Sequence, residues 1–284
     1  MADSFYPIDL HSHTNKSDGS LSPAELIDLA LQKGLQTLAI TDHDTLEGYD
    51  EAAPLAQAAG LDLICGVELS SKFHHRSIHV LGYFFHQPPG PEFRHHLDCI
   101  QTSRRERNGR LAARLRELGL DVHQDEAERF GRSQTGRPHF ARLLVEKGYV
   151  RDLREAFDRY LDESAPGFVE RRDASLDNVI RWIHEADGLA SWAHPVRMVR
   201  QSAVPVDRLF REMAGHGMDA IEAYHTDHSP EVQAEYLTVA SRIGLAVTGG
   251  SDFHGDPKPQ IQLGQVTLPP SLLTCLRTFN TPPH

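Results

Sequence analysis

The sequence predicts an α/β protein: a distorted, TIM-like (β/α)7 barrel that carries an inserted small helical subdomain. Short apolar segments alternate with helical patterns along most of the 284 residues, which is typical of βα units around a mainly parallel sheet. Residues 100–172 interrupt this alternation, because they have helical periodicity and no convincing strand. Histidines and carboxylates recur where predicted strands end, the edge at which α/β barrels place their active sites.

The barrel is predicted from residues 1–99 and 173–284, and the helical subdomain from residues 100–172. The first helix begins at Ser22, with Pro23 in its first turn and Glu25 placed for a capping box, and Gly34 ends it. Further helices are predicted at 46–59, 93–118, 176–186, 206–216 and 230–243. Strands are predicted at 6–10, 35–40, 61–69, 77–85, 189–193, 220–224 and 246–250.

The composition is typical of a packed globular domain. Hydrophobic residues make up 39% of the chain and charged residues 24%, which predicts a buried core rather than disorder. No apolar run approaches the roughly 20 residues of a membrane helix, and residues 1–10 lack the pattern of a signal peptide. Three widely spaced cysteines, Cys65, Cys99 and Cys275, are typical of reduced thiols. We therefore expect a cytoplasmic protein without membrane association, and the sequence implies no stable protein partner.

The charge is distributed unevenly. A net charge of −11 argues against a protein that coats long nucleic acids. Residues 100–172 contain 16 Lys and Arg against 13 Asp and Glu, whereas the remaining residues contain 13 against 27. An acidic barrel suits cation binding and a basic subdomain suits an anionic substrate, although a solvated helical surface explains most of the basic residues.

Candidate metal ligands occur in several separated motifs. His11 and His13 follow the first predicted strand, and side chains at i and i+2 of an extended segment share a face, so both can reach one ion. A single histidine at a strand end is more often a core or surface residue. If acidic and imidazole groups from several strand ends meet in one place, their charges are buried close together. Burying them costs several kcal/mol per ion unless bound cations compensate the charge. Further candidates lie at or near later strand ends, at Asp18, His43, Glu68, His79, His194, His225, Asp252 and His254, so the repetition predicts a metal site.

These motifs closely resemble those of the polymerase and histidinol phosphatase (PHP) family of the amidohydrolase superfamily, over nearly the whole chain. They are His-x-His at His11, Thr-Asp-His-Asp around Asp42, Ala-His-Pro around His194 and Ser-Asp-x-His at Asp252. The resemblance implies a distorted barrel with two or three divalent metal ions. By similarity, the first ion is expected between His11, His13, Glu68 and Asp252, a second between Glu68, His79 and His194, and a third between Asp18, His43 and His254.

The ligand types indicate which metals to expect and what they would do. Nitrogen and carboxylate ligands without thiolate suit Mn²⁺, Fe²⁺ or Zn²⁺ better than Ca²⁺ or Mg²⁺, and among these we expect Mn²⁺. Such ions lower the pKa of water towards neutrality and neutralise phosphoryl oxygens. We therefore expect in-line attack of hydroxide on phosphorus without a covalent enzyme intermediate. His194, His225 or Asp252 is expected to protonate the leaving group, and the sequence leaves these three open.

Phosphate recognition is expected in the helical subdomain. Arg137 lies between Gly136 and a Pro-started helix, where a guanidinium and backbone N–H groups can meet a phosphate. A plain helix start with a surface arginine explains the local sequence equally well. Similar segments occur in the family's subgroup that acts on nucleotide phosphates, which favours Arg137 as a second-phosphate anchor, with Thr135 and His225 nearby. Lys258 is another candidate phosphate ligand, although a solvated loop lysine also accounts for it.

Together these interpretations predict a phosphatase that removes the 3′-phosphate of 3′,5′-nucleoside bisphosphates and leaves 5′-mononucleotides. Its substrate would be a small nucleotide with two phosphates. A 5′→3′ exonuclease on short 5′-phosphorylated oligonucleotides is the alternative that uses the same residues. A histidinol-phosphatase-like role is disfavoured by the basic subdomain, and a non-catalytic metal-binding module is disfavoured because every expected ligand position is filled.

Overall fold

A computed structural model describes residues 8–131, 135–170 and 174–279. The chain divides into two compact units. The first, which we call the barrel unit, lies within Met1–His95 and Ala174–His284, and the second, the helical unit, lies within His96–Asp173. In the described part of the chain, no helix is both long enough and apolar enough to cross a membrane.

The barrel unit is built around one sheet. Its described strands are β1 (Ile8–Asp9), β2 (Thr37–Ile40), β3 (Asp62–Phe73), β4 (Arg76–Phe84), β5 (Ala174–Ser175), β6 (Leu189–Trp192), β7 (Ala220–His225) and β8 (Ala246–Gly250). They follow the order β1-β2-β3-β4-β6-β7-β8, and the short β5 pairs with β3. The backbone N–H of Leu10, just after β1, donates to the carbonyl of Gly249 in β8, so the sheet is nearly closed. The predicted distorted barrel is confirmed, although residues 6 and 7 of the first predicted strand lie outside the described residues.

The distortion lies at β3 and β4. These strands pair with each other antiparallel over their full length, from Cys65 opposite Phe84 to Phe73 opposite Arg76, and β4 also pairs antiparallel with β6. As predicted, two strands follow each other here without a helix between them, and a tight turn joins them as a hairpin. The prediction that Glu68 ends its strand is wrong. The antiparallel ladder extends β3 to Phe73, which leaves Glu68 in its middle.

Helices cover the sheet and form the second unit. They are α1 (Pro23–Gln32), α2 (Glu47–Ala59), α3 (Pro91–Glu117), α4 (Gln124–Gly131), α5 (Arg137–Glu146), α6 (Leu153–Ala156), α7 (Leu176–Glu185), α8 (Val196–Val199), α9 (Val206–Gly215), α10 (Pro230–Ile243) and α11 (Pro270–Phe279). The predicted capping box of α1 is present, because Ser22 Oγ accepts from the Glu25 N–H and the Glu25 carboxylate accepts from the Ser22 N–H. α11 was not predicted from the sequence, and its Leu272 and Leu276 pack with buried strand residues in the barrel core.

The helical unit has a hydrophobic core of its own. Leu111 and Leu115 of α3 pack there with Phe140 and Leu144 of α5, all fully buried. A short π-helical turn, Phe157–Leu161, follows α6 and adds Leu161 to the same core. The described residues of this unit contain helices and turns but no strand, so its fold rests on packing between helices.

Candidate metal centre

The carboxylate of Glu68 lies at the centre of a cluster of imidazoles in the barrel unit, and only 1% of the residue is exposed. Glu68 Oε2 lies 3.3 Å from His11 Nε2, 3.2 Å from His13 Nε2 and 3.3 Å from His43 Nδ1. Glu68 Oε1 lies 2.8 Å from His79 Nδ1 and 2.9 Å from His194 Nε2. A single carboxylate is therefore shared by two groups of nitrogen donors, one on each oxygen.

Two further carboxylates complete the cluster. Asp252 Oδ1 lies 3.4 Å from Nε2 of both His11 and His13, and 3.5 Å from His254 Nδ1. Asp18 lies 3.4 Å from His254 Nε2, 3.6 Å from His13 Nδ1 and 3.7 Å from His43 Nε2. The structure thus brings together all of the residues that the sequence suggested as metal ligands.

Backbone pairing holds the segments that carry these residues. The N–H of His13 donates to the Phe253 carbonyl, and the N–H of Asp252 donates to the His11 carbonyl, so the segments after β1 and β8 run side by side. Gly250 makes this close approach feasible, because a Cβ at its position would lie 2.3 Å from the His11 backbone nitrogen. A glycine at position 250 is therefore explained by packing against the histidine segment.

Two of the clustered residues have strained backbones. His194 has a φ of +31° and Asp252 a φ of +59°, in the left-handed region that residues other than glycine rarely adopt. Each is held there by a hydrogen bond from its own N–H, to Glu222 Oε2 at 2.7 Å for His194 and to the His11 carbonyl at 2.9 Å for Asp252. Such strain is typical of functional sites, where the surrounding structure fixes a side chain in one direction.

The spacing of the donor atoms fits a bound cation. Ligands about 2.1 Å from one ion and about 90–110° apart lie about 3.0–3.4 Å from one another. The nitrogen–oxygen distances around His11, His13, Glu68 and Asp252 are 3.2–3.4 Å, which is longer than charged hydrogen bonds. Both ring nitrogens of His13 are buried, and neither has a partner with hydrogen-bond geometry in the described residues. This donor set therefore fits a divalent metal ion.

Glu222 in β7 is a residue that the sequence analysis missed. It is fully buried, and its Oε1 accepts from His11 Nδ1 at 2.8 Å while its Oε2 accepts from the His194 N–H. Burial would raise the pKa of Glu222, but the imidazoles of His11 and His225 outweigh it and lower the pKa to about 2. Because an ionised carboxylate only accepts, His11 must donate from Nδ1. In the neutral ring, which is the form that binds a cation, the Nε2 lone pair is then directed towards Glu68 and Asp252. The only signal in the sequence is an isolated acidic residue within an apolar strand.

His225, also in β7, has its tautomer set by the backbone. Its Nδ1 accepts from the Asp227 N–H at 2.9 Å, so the neutral ring carries its proton on Nε2. Nε2 is buried, lies 3.6 Å from Asp252 Oδ2 and has no hydrogen-bond partner in the described residues. The predicted residue is therefore beside the cluster and presents a donor to it.

The pKa values of the cluster reflect competition between burial and carboxylates. Burial would lower the pKa of His13, but Asp252 and Glu68 outweigh it and raise the pKa to about 9. His11 behaves likewise, because Glu222 and Glu68 outweigh its burial and raise its pKa well above the usual value. Burial dominates at His43 and His194, lowering their pKa values to about 4 and about 3. Without a cation, the cluster therefore keeps protons on the two imidazoles that lie between carboxylates.

The predicted substrate residues fall in both units. Lys258 in the barrel unit donates to Asp252 Oδ2 at 2.7 Å. In the helical unit, Thr135 is buried, and Arg137 donates to the Leu161 carbonyl at 3.2 Å with its guanidinium over Phe168. The start of α5 offers few of the backbone N–H donors that were expected to bind a phosphate. The Gly136 N–H donates to His139 Nδ1, and Pro138 has no backbone N–H.

Comparisons with known proteins identify the family of the chain. The sequence model of the PHP domain family matches residues 9–193. A 3′,5′-nucleoside bisphosphate phosphatase from Chromobacterium violaceum is 35% identical over 266 residues, which cover 93% of each chain. A 5′-3′ exoribonuclease from Haemophilus influenzae is 35% identical over 263 residues, covering 90% of this chain and 93% of its own. The solved structure of a candidate metal-dependent phosphoesterase from Bifidobacterium adolescentis matches with a TM-score of 0.79 at 29% identity and 97% coverage of both chains. The family predicted from the motifs is confirmed: the chain belongs to the PHP domain family.

Proposed function

We propose that this PHP-family hydrolase of phosphate esters removes the 3′-phosphate from 3′,5′-nucleoside bisphosphates and leaves 5′-mononucleotides. The observation that carries the proposal is the buried cluster around Glu68, whose donors have the spacing of ligands that share cations. The choice of substrate rests on the similarity to the bisphosphate phosphatase over almost the entire chain.

The cluster supports the following assignment of ligands. Cations are expected to be shared through Glu68, with Mn²⁺ as the proposed metal because the donors are nitrogen and carboxylate oxygen without thiolate. When bound, divalent ions supply a nucleophilic water at neutral pH and offset the charge of phosphoryl oxygens. We assign His11, His13, Glu68 and Asp252 to one ion, Glu68, His79 and His194 to a second, and Asp18, His43 and His254 to a third.

Among the three candidates for proton donor, we propose His225. His194 Nε2 faces Glu68 Oε1 at 2.9 Å, and Asp252 Oδ2 already accepts from Lys258, so both groups are engaged. His225 instead presents Nε2–H beside Asp252 and keeps Nδ1 on the Asp227 N–H. That hydrogen bond holds the ring in the orientation and the tautomer that a donor to a leaving oxygen needs.

For the other phosphate we propose a site within the helical unit. Arg104, Arg107 and Asn108 of α3 have the i, i+3, i+4 spacing of one helix face, and all three are buried. Asn108 Nδ2 donates to the Thr135 carbonyl at 2.8 Å, which brings this face to the segment that begins α5. We propose that the two guanidinium groups on this face donate charge-assisted hydrogen bonds to the phosphate. Arg137, on the same segment as Thr135, is the third guanidinium of the proposed site.

Substrate comparison tests the proposed function. With Mn²⁺, adenosine 3′,5′-bisphosphate should be hydrolysed with a kcat/KM about 10- to 100-fold above that of 3′-AMP, because the second phosphate adds charge-assisted hydrogen bonds. The products should be 5′-AMP and phosphate. Equal turnover of adenosine 3′,5′-bisphosphate and 3′-AMP would contradict recognition of two phosphates.

A pair of neighbouring arginines provides a matched control for the anchor. Arg104 is 8% exposed. Arg105 has a side chain that is 72% exposed and lies 3.6 Å from Glu128. Arg104→Gln should raise KM for the bisphosphate about tenfold or more and leave turnover of p-nitrophenyl phosphate unchanged, whereas Arg105→Gln should change neither. An equal effect of both substitutions would count against the anchor.

The second candidate is a 5′→3′ exonuclease on short oligonucleotides. It is favoured by the similarity to the Haemophilus influenzae exoribonuclease. The same helical site would then bind the 5′-phosphate of the oligomer. Release of mononucleotides from a 5′-phosphorylated oligonucleotide, but not from its 5′-hydroxyl counterpart, would support this activity. The cytoplasmic location and the absence of a stable protein partner stay predictions from the sequence.

A further inference from the structure

Arg197 lies on α8, three residues after His194, and joins two acidic residues at the edge of the metal centre. Its Nη2 donates to Asp252 Oδ2 at 2.7 Å, and its Nε donates to Asp227 Oδ2 at 2.8 Å. The Arg197 side chain is 41% exposed, whereas that of Asp252 is 3% exposed. The guanidinium therefore stands at the boundary between the buried cluster and solvent.

The two oxygens of Asp252 have different surroundings. Oδ1 lies 3.4 Å from the Nε2 atoms of His11 and His13, on the side proposed for a cation. Oδ2 accepts from both Arg197 Nη2 and Lys258 Nζ, each at 2.7 Å. Because Lys258 contacts the same oxygen, the orientation of Asp252 does not depend on Arg197 alone.

Arg197 also lines a cavity of about 180 Å³ beside the cluster. His79 and His194, the two imidazoles on Glu68 Oε1, share the wall of this cavity with Ile78, Trp192 and Met198. Nη1 of Arg197 has no hydrogen-bond partner in the described residues, although Nε and Nη2 are both engaged. A fixed guanidinium with one nitrogen left to donate, next to two candidate metal ligands, is suited to an anion in the cavity.

We propose that Arg197 is a substrate-binding residue whose Nη1 donates to a non-bridging oxygen of the scissile phosphate. The choice of a phosphate ester as the ligand rests on the proposed function. Asp252 and Asp227 hold the guanidinium plane before the substrate arrives, so little side-chain freedom is lost on binding. The planar fork offers the remaining donors in a fixed direction, which an ammonium group at this position would not reproduce.

Phosphate binding to the Mn²⁺-loaded protein tests this role directly, with inorganic phosphate as the ligand in calorimetry. Arg197→Gln should weaken phosphate binding about 10- to 100-fold while the bound Mn²⁺ per chain stays at the wild-type level. Arg197→Lys should recover only part of the loss, because the lysine lacks the second donor. Arg200→Gln is the matched control, since Arg200 directly follows the same helix and its Nη2 donates to the Asp227 carbonyl oxygen at 3.2 Å. It should bind phosphate within about twofold of wild type.

Two results would overturn the proposal. In the first, Arg197→Gln binds phosphate as tightly as the wild type. In the second, it loses Mn²⁺ in parallel with phosphate, which would mean that Arg197 acts only by holding Asp252. The proposed function fails separately: if the wild type hydrolysed no nucleotide, yet Arg197→Gln still lost phosphate binding, the anion site would stand without it. If the wild type hydrolysed bisphosphates and Arg197→Gln bound phosphate normally, only the role of Arg197 would be lost.

Discussion

Replacing Glu222 with Gln should weaken Mn²⁺ binding, although Gln has the same shape and Glu222 is not among the proposed ligands. The carboxylate accepts from His11 Nδ1 at 2.8 Å and from the His194 N–H at 2.7 Å. A carboxamide can satisfy only one of these donors with its oxygen. If its NH₂ group faces His11, the ring must move its proton to Nε2, the nitrogen that faces Glu68 and Asp252. If its NH₂ group faces the His194 N–H, two buried donors oppose each other, which costs about 1–3 kcal/mol.

Either arrangement should lower Mn²⁺ affinity about 10- to 100-fold, or about 1.4–2.7 kcal/mol. Calorimetric titration of metal-free protein measures this loss, with circular dichroism to verify the fold. Asp219→Asn is a matched control, because Asp219 Oδ2 also contacts an imidazole nitrogen, His184 Nε2, and accepts from a backbone N–H, that of Ala190, each at 2.8 Å. Neither His184 nor Asp219 is among the proposed ligands, so the control should bind Mn²⁺ normally. Unchanged affinity in Glu222→Gln would refute the orienting role.

Three further predictions concern the same site. Mn²⁺ binding at about pH 7.5 should release about two protons, because His11 and His13 are protonated below their raised pKa values (about 9 for His13) and must be neutral to bind a cation. The Mn²⁺ affinity should therefore rise with pH. Calorimetry in buffers of different protonation enthalpy measures the released protons, and detecting none would disprove this. If His225 donates the proton to the leaving group, His225→Gln should lower kcat about 10²- to 10⁴-fold with little change in KM. Steady-state kinetics that show a change in KM alone would argue against that role. Gly250→Ala should lower the free energy of unfolding by about 1–3 kcal/mol, because the added Cβ would overlap His11. In the control Gly90→Ala, the added Cβ meets no atom within 4 Å, so the free energy of unfolding should change by less than about 0.5 kcal/mol. Equal denaturation midpoints for the two variants would contradict this.

The sequence predicted those parts of the site that depend on the spacing of residues close together in the chain. His11 and His13 share a face because side chains alternate along an extended segment, and the Asp252-x-His254 motif repeats that spacing after β8. Parallel strands bring such ends to one edge, so the convergence of these motifs was predictable from their positions alone. The capping box at Ser22 was predictable for the same reason, since all of its hydrogen bonds are local.

Features that depend on distant contacts were missed. Glu222 is the only charged residue of β7, and its partners His11 and His194 are far away in the sequence. Arg197 is close to His194 in sequence, but its contact with Asp252 spans 55 positions. The direction of β4 was missed because an apolar pattern encodes which face is buried and not whether the neighbouring strand is parallel. Glu68 stays a predicted metal ligand that the structure places within the cluster, although its place in the strand differs from the prediction.

The most direct test of the metal centre is an anomalous difference map from crystals grown with Mn²⁺. At least two peaks should flank the Glu68 carboxylate, one within coordination distance of His11 and His13 and the other near His79 and His194. A map with well-ordered side chains and no peak between these residues would contradict the proposed catalytic centre.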